Sequence, residues 1–360
     1  MRKLFFISVV AMAAAACDKG GDAVEVETKA PYTLSVDKTQ IESDGKDAVT
    51  FILTDATGLV MTDDAQLLSK IYFINEATGK RLPRKTTTFR SVEDGEYEFS
   101  ATFQGEPCAN KVKVKSSGRR KYELFRKNVA LYRFTATWCQ NCPAMTLGLD
   151  RVGDWTKDRL VELDLHGAGS TYAFSDGNNY VADYLIKEFK ANGFPSCVYD
   201  LDIMSETRTY TEIEELVFDR IADSPATCGI KASCAYSNGY LIVSASVKSS
   251  TGGKYDIGFA VLKDNCVPGG DADEKVYNDV VKAMTGNYYN MSTSSFTLEK
   301  NGESAEVSHK IKFSLEGSED DYSVVVFALR QDGNDVDIDN IVELAIDKSV
   351  DYVYNPENAQ

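Results

Sequence analysis

The feature that most constrains the fold is a pair of cysteines, Cys139 and Cys142, in the segment WCQNCP at residues 138–143. An apolar run at residues 129–134 directly precedes the segment, and a helix-compatible stretch follows it. A strand that ends at the first cysteine places Cys139 at a helix N terminus, where free N–H groups and the helix dipole favour a thiolate. Cys142 lies one turn further on the same face and can form a disulfide with it. The sequence therefore predicts a redox-active pair.

The region around this pair, residues 119–225, alternates between strand and helix patterns. Apolar runs predict strands at 128–136 and 159–165, and periodic apolar positions predict three helices, at 145–155, 178–191 and 211–221. This order predicts an α/β domain whose sheet contains parallel crossovers. Asp200 and Asp202, after the segment 193–199, are interpreted as solvated charges at a strand end.

Strand patterns dominate on both sides of this region. With 360 residues the chain is long enough for two or three domains. Residues 31–116 show period-two alternation interrupted by turn signals, which predicts a β-sandwich. Residues 226–360 show the same pattern and predict a C-terminal β-sandwich, with 277–284 as a loop or short helix. The predicted fold class is a multidomain α+β protein.

The first seventeen residues have the pattern of an export signal. Arg2 and Lys3 precede an apolar stretch at 4–16 that is too short to span a bilayer. The segment AAAC ending at Cys17 resembles the lipobox of bacterial lipoproteins, which implies cleavage of residues 1–16 and lipids on Cys17. An ordinary cleaved signal peptide is the alternative. Residues 17–30 are polar and are predicted to be a flexible tether.

The charge balance limits the partners. The formal net charge is −16, and loss of Arg2 and Lys3 with the signal makes it more negative. Such a chain repels the phosphates of nucleic acid and offers no basic surface to a membrane, so the lipid is the predicted anchor.

Five cysteines remain beside Cys17 and the redox pair. They are Cys108, Cys197, Cys228, Cys234 and Cys266. Their odd number leaves at least one thiol free or paired between molecules. Cys234 and Cys266, on neighbouring strands, are a candidate bridge. Cys228 and Cys234 cannot pair if residues 228–236 form one extended strand, and the other pairings stay open.

The middle region resembles the thioredoxin superfamily through the motifs FTATWCQNCP and GFPSCVYD. Within it, residues 120–350 resemble the outer membrane protein 28-related group of Bacteroidetes-type lipoproteins, and the N-terminal region resembles bacterial immunoglobulin-like (Ig-like) domains. These resemblances imply a thioredoxin-like three-layer domain between two β-sandwiches. A zinc site is disfavoured because no second CxxC accompanies the first, and neither metal nor cofactor is expected.

The resemblance implies roles for individual residues. Cys139 would be the nucleophile that attacks a partner disulfide, and Cys142 would resolve the mixed disulfide. Trp138 would flank the pair as an apolar docking surface. Phe194 and Pro195 match the loop in which the superfamily has a cis-proline, beside which a substrate strand pairs.

Three further residues are candidates for a supporting role. Arg133 stands where thioredoxins carry a buried acid, so the usual proton acceptor is replaced by a cation that lowers a nearby cysteine pKa. His166, at the end of the neighbouring strand, either approaches the cysteines or makes a structural hydrogen bond. Cys197, two residues after Pro195, is either a third thiol near the site or a small buried apolar residue.

The leading hypothesis is a membrane-anchored extracytoplasmic thiol–disulfide oxidoreductase that acts on protein thiols and disulfides of the cell envelope. Its expected place is the outer membrane, facing either the periplasm or the exterior. The alternative is a surface binding or adhesive lipoprotein in which the same cysteines form a static disulfide. The substrate and the direction of electron flow stay open.

Overall fold

The computed structural model describes residues 31–118, 124–177, 179–269, 274–285 and 289–355. The expected signal peptide at 1–16, the tether at 17–30 and the lipidated Cys17 lie outside these residues. Within them, strands far outnumber helices, and four of the five α-helices have nine residues or fewer.

The elements are numbered in chain order. The strands are β1 Tyr32–Val36, β2 Gln40–Glu42, β3 Ala48–Asp55, β4 Ile71–Asn75, β5 Lys80–Arg81, β6 Thr88–Arg90, β7 Gly95–Phe103, β8 Glu106–Pro107, β9 Val112–Ser117, β10 Val129–Thr135, β11 Leu160–His166, β12 Ser196–Tyr199, β13 Ile203–Ser205, β14 Cys228–Ser237, β15 Tyr240–Ser249, β16 Gly253–Lys263, β17 Val280–Met284, β18 Phe296–Leu298, β19 Val307–Lys312, β20 Tyr322–Asp332, β21 Asp335–Ala345 and β22 Ser349–Val350. The α-helices are α1 Ala65–Leu68, α2 Cys142–Asp150, α3 Asp154–Lys157, α4 Val181–Glu188 and α5 Tyr210–Asp223. Short 3₁₀ helices lie at Met61–Asp63 and Glu319–Asp321.

The N-terminal strands form two sheets around one apolar core. One sheet has the order β1-β3-β6, and the other has the order β2-β9-β7-β4-β5 with β8 paired to β7. Alternate residues of both sheets point inward, so that Leu53, Phe73 and Phe99 share the core. The period-two pattern of residues 97–103 thus corresponds to a half-buried strand.

The centre of the molecule is a nine-stranded sheet. Its order is β13-β12-β10-β11-β17-β16-β20-β21, and β18 also pairs with β16. β10 runs parallel to β11 and antiparallel to β12. Every residue of β10 is buried, as expected for a central strand that is covered on both faces.

Helices cover both faces of the sheet near β10. Ala182 and Leu185 of α4 pack on the face that carries Phe134, whereas α2 and α5 pack on the opposite face, around Leu131. In the C-terminal part of the same sheet, one face of β16 and β20 packs against a separate four-stranded sheet of order β19-β15-β14-β22.

The predicted fold class, a three-layer thioredoxin-like α/β domain between two β-sandwiches, is wrong. The described residues are mostly strand, and the middle region has no sheet of its own because β11 pairs with β17 at Asp164 and Val280. The sheet therefore continues into β16, β20 and β21. An apolar run reveals that a strand is buried, but it does not reveal which strand pairs with its edge. The predicted domain boundaries stay predictions, although the nine-stranded sheet contains strands from both sides of the predicted boundary at residue 225.

Two local expectations are also wrong. Residues 280–284, expected in a loop or short helix, form β17, because the chain pairs with both β11 and β16. Cys234 and Cys266 form no bridge: both thiols are free, as are those of Cys108, Cys197 and Cys228 within the described residues.

The N-terminal region packs on α5. Gly45 lies so close to α5 that an added Cβ would come within 2.4 Å of the Ala222 side chain. Its φ of +74° is a second reason for glycine at this position. Arg90 forms ion pairs with Glu215 and Asp219 of the same helix, so apolar contact and charge both join the two regions.

Candidate functional site

Cys139 and Cys142 form a disulfide at the start of α2, with their Cα atoms 5.5 Å apart. β10 ends at Thr135, so Cys139 lies in the connecting turn and not directly at the end of the strand. The Cys139 N–H donates to the Ala136 carbonyl at 3.1 Å. Cys139 is 6% exposed and Cys142 only 1%. Cys139 is therefore the more accessible of the two cysteines.

An aromatic pair borders the disulfide. Trp138 is half exposed, and its indole N–H donates to the Ala168 carbonyl at 3.0 Å. Its ring meets that of Phe194 edge to face, with the centroids 5.3 Å apart. Gly167 makes room for Phe194, because an added Cβ there would lie 2.3 Å from the phenylalanine ring. The indole is thus held in place while one side faces solvent.

Pro195 follows Phe194 through a cis peptide bond, as the resemblance implies. Phe194 packs on the apolar cluster of Ala136, Cys139 and Cys142. The structure therefore brings together five of the residues singled out from the sequence: the two cysteines, the tryptophan, the phenylalanine and the proline.

Arg133 is buried in the middle of β10 and lies opposite Asp164 of β11 in the sheet register. Its guanidinium is 3.4 Å from the Asp164 carboxylate and 3.6 Å from that of Glu274, and it donates to the Thr146 hydroxyl at 2.8 Å. The Thr146 hydroxyl in turn contacts the Cys142 carbonyl at 3.4 Å. Arg133 therefore lies beside two acidic side chains and is connected to Cys142 through the Thr146 hydroxyl.

His166 is fully buried at the end of β11. Its Nδ1 is 2.8 Å from the Ser170 hydroxyl, and its ring lies edge-on to Tyr172 and Tyr277. Burial, with smaller contributions from two cations, lowers its pKa to about 3. The imidazole is therefore neutral at physiological pH and supplies no positive charge to the cysteines.

Cys197 is buried in β12, opposite Arg133. It packs in the core beneath α2 and α5, and burial raises the pKa of its thiol to about 12. At neutral pH the side chain is a protonated thiol with the character of a small apolar residue.

Asp200 is not the solvated charge that the sequence suggested. Its carboxylate is fully buried and accepts hydrogen bonds from the Ala130 N–H at 2.8 Å and from Arg220 Nε at 3.1 Å. The Lys127 ammonium is 3.0 Å away. Asp202 is about half exposed and pairs with the same arginine.

Sequence reasoning missed an acidic cluster beside Arg133. We use this name for Glu162, Asp164, Glu274 and Asp279. Burial raises the pKa of Glu162, raises that of Asp164 well above its usual range, and raises that of Asp279 to about 9. A signal was present in the sequence, since Glu162 and Asp164 interrupt the apolar run of β11.

Asparagine in place of Asp279 is expected to stabilise the protein above neutral pH. Between the ordinary aspartate pKa of 3.8 and the folded value of about 9, the folded state binds more protons than the unfolded state, so stability falls as pH rises. Asp279→Asn removes this loss. The loss in the free energy of unfolding is about 1.4 kcal/mol for each pH unit between these two pKa values. Asparagine also tolerates the φ of +55° at this position.

Urea unfolding of both proteins at pH 5, 7 and 9 measures the effect. The exposed Asp320→Asn variant is the control and should leave the pH profile unchanged. An Asp279→Asn profile parallel to that of the unmodified protein would contradict the expectation.

No group of three metal-ligating side chains converges anywhere in the described ranges. Among the helices of those same residues, none has the length and apolar character to cross a bilayer.

The comparisons with known proteins concern the fold. The chain matches no protein-family profile and no curated protein sequence. It is similar to the solved structure of HBP35 of Porphyromonas gingivalis, with a TM-score of 0.50 and 17% identity over 62% of this chain and 76% of that one. A protein of Agrobacterium tumefaciens gives a TM-score of 0.41 and 14% identity over 61% and 94%. At these identities the first likeness shows a shared fold alone, and the second supports no argument.

Proposed function

We propose that this protein is a membrane-anchored thiol–disulfide oxidoreductase of the cell envelope. The observation that carries the proposal is the disulfide between Cys139 and Cys142 at the start of α2, flanked by the exposed Trp138 and by the cis-proline Pro195. This local arrangement resembles the redox site of the thioredoxin superfamily.

The proposed reaction is disulfide exchange. In the reduced protein the Cys139 thiolate attacks a substrate disulfide; a new S–S bond joins Cys139 to one substrate sulfur, and the other sulfur leaves as a thiolate and takes up a proton. Cys142 then loses its proton and attacks the Cys139 sulfur, which releases the second substrate thiol. Two electrons pass to the substrate, and the pair ends as the disulfide. The reverse sequence oxidises a dithiol.

The surroundings of the pair suit a protein substrate. Trp138 offers half of its indole to a partner, and Leu147, on the exposed side of α2, is 48% exposed. The Phe194–Pro195 segment lies beside the disulfide and leads into β12. In our proposal an extended substrate segment binds there, next to Cys139, while its apolar side chains contact the tryptophan.

We also propose that lipids on Cys17 anchor the protein to the outer membrane, on its periplasmic or exterior side. The support is the sequence of residues 1–17, with its basic start, short apolar stretch and small residues before the cysteine. Because the chain is strongly acidic and offers no basic surface to a membrane, a lipid is the proposed anchor. Envelope proteins with thiols or disulfides are the proposed partners.

A glutathione titration tests the redox proposal. The protein is equilibrated with mixtures of reduced and oxidised glutathione, free thiols are alkylated, and mass spectrometry follows Cys139 and Cys142 separately from the five single cysteines. We expect the pair to open and close together as a two-electron couple between about −120 and −270 mV, the range of disulfide catalysts. A pair that stays oxidised below about −300 mV would identify a structural disulfide instead.

A further inference from the structure

A cavity of about 320 Å³ lies between β11, α2 and the residues that lead into β17. Its inner end is formed by the buried side chains of Arg133, Asp164 and Glu274. Its mouth is formed by exposed side chains, among them Asp150 and Val276. The cavity therefore opens to solvent and ends on the arginine beside the redox helix.

Negative groups dominate the wall. Two cations, Arg133 and Lys157, face a larger number of carboxylates. These carboxylates belong to Asp150, Glu162, Asp164, Glu274, Asp279 and Glu343. Arg133, which contacts Asp164 and Glu274, and Lys157 compensate only part of this negative charge. An additional positive charge is thus favoured in the cavity.

One atom of this wall points to a ligand independently of the charge count. Asp164 is 2% exposed, and only its Oδ2 contacts Arg133. Its Oδ1 is buried and has no hydrogen-bond partner among the described residues. A buried carboxylate oxygen left without a donor costs free energy, so a donor brought by a ligand would be stabilising.

We propose that this cavity binds an organic cation with two or more ammonium groups, a diamine or polyamine. One ammonium group lies near Asp164 and Glu162 at the inner end, and the other lies near Asp150 and Glu343 at the mouth. Each ammonium supplies three N–H donors to the carboxylates. This activity is separate from the proposed disulfide exchange and does not depend on it.

Size and spacing favour such a ligand over a metal ion. The volume falls within the range of small-molecule pockets. The carboxylates are distributed along the cavity, and in the described residues no three of them converge as a calcium or magnesium site requires. A flexible chain with a charge at each end can contact carboxylates that a single ion cannot reach together.

Protonation should accompany binding. Without a ligand, burial keeps protons on part of the acidic cluster. An ammonium group favours the ionised carboxylates, so binding releases protons and becomes tighter as pH rises. The groups that face the ligand are the six carboxylates, Arg133 and Lys157, and an alkyl diamine itself stays protonated in this range.

Isothermal titration calorimetry of the whole protein with 1,4-diaminobutane and with spermidine tests the proposal. We expect one saturable site at pH 8, with affinity at least about tenfold lower at pH 5.5. The double variant Glu162→Gln with Asp164→Asn should lose at least about tenfold in affinity, equivalent to about 1.4 kcal/mol. If circular dichroism shows that this variant fails to fold, the double variant Asp150→Asn with Glu343→Gln, at the exposed mouth, replaces it and should show the same loss.

The matched control is the double variant Glu319→Gln with Asp320→Asn, which makes the same change in charge at exposed residues. It should bind like the unmodified protein. Absence of a saturable site, or an equal loss in the control, would overturn the proposal and indicate general attraction to an acidic surface. Saturation by Ca²⁺ without a response to either amine would overturn it as well.

Discussion

Cys139→Ala is expected to abolish the reduction of disulfide substrates, by about three orders of magnitude or more, because the covalent route disappears with its nucleophile. Cys142→Ala should instead retain the first step and accumulate a mixed disulfide between Cys139 and the substrate, since the resolving thiol is missing. The difference follows from exposure: Cys139 is the more exposed cysteine, and Cys142 is buried at the first residue of α2.

Insulin reduction and non-reducing electrophoresis measure the two outcomes. Cys108→Ser is the matched control, because Cys108 is a free, partly exposed thiol in the N-terminal region and serine keeps a hydrogen-bonding group there. It should retain full activity. Unchanged insulin reduction by Cys139→Ala would remove the oxidoreductase proposal, whatever the redox potential of the pair.

Asp200→Asn should destabilise the protein by about 3–5 kcal/mol, the usual cost of breaking a buried ion pair by removing one partner. The Asp200 carboxylate compensates Lys127 and Arg220, and both cations are almost completely buried. Lys127 also donates to the Ile338 and Asp339 carbonyls of β21. The carboxylate thus supports the contact between the region around β10 and the C-terminal strands.

Urea unfolding at pH 7 measures this loss. Asp202→Asn is the control, because it removes a carboxylate from the same Arg220 at a position that is about half exposed. Its cost should stay below about 1 kcal/mol, as for other exposed ion pairs. Equal effects of the two substitutions would show that the buried carboxylate contributes no more to the free energy of unfolding than the exposed one. Asparagine preserves the shape at both positions.

Local elements near the redox pair were predictable. The apolar run 129–134 forms most of β10, the helix expected at 211–221 is α5, and the helix expected at 178–191 contains α4. Each segment is long enough for its own apolar pattern to identify it as a strand or as a helix. Residues 280–284 carry a short apolar pattern, and their strand conformation depends on pairing with β11 and β16.

The cysteines and the proline of the candidate site could be predicted from the sequence, whereas the charged groups near them could not. Cys139, Cys142 and Pro195 stand in motifs that can be recognised along the chain. The acidic cluster joins Glu162 and Asp164 of β11 with Glu274 and Asp279, more than a hundred residues later. Charges so distant in sequence become neighbours only when β11 pairs with β17, so no spacing rule predicts their pKa shifts.

By itself the sequence determined that a buried strand is followed by two cysteines three residues apart and then by a helix, since backbone propensity and side-chain periodicity act over a few residues. The tertiary structure decided that the sheet around this strand continues into the C-terminal region and that Arg133 lies against the side chains of Asp164 and Glu274. Strand pairing and burial depend on contacts between distant segments, and burial sets the dielectric environment in which each charge ionises.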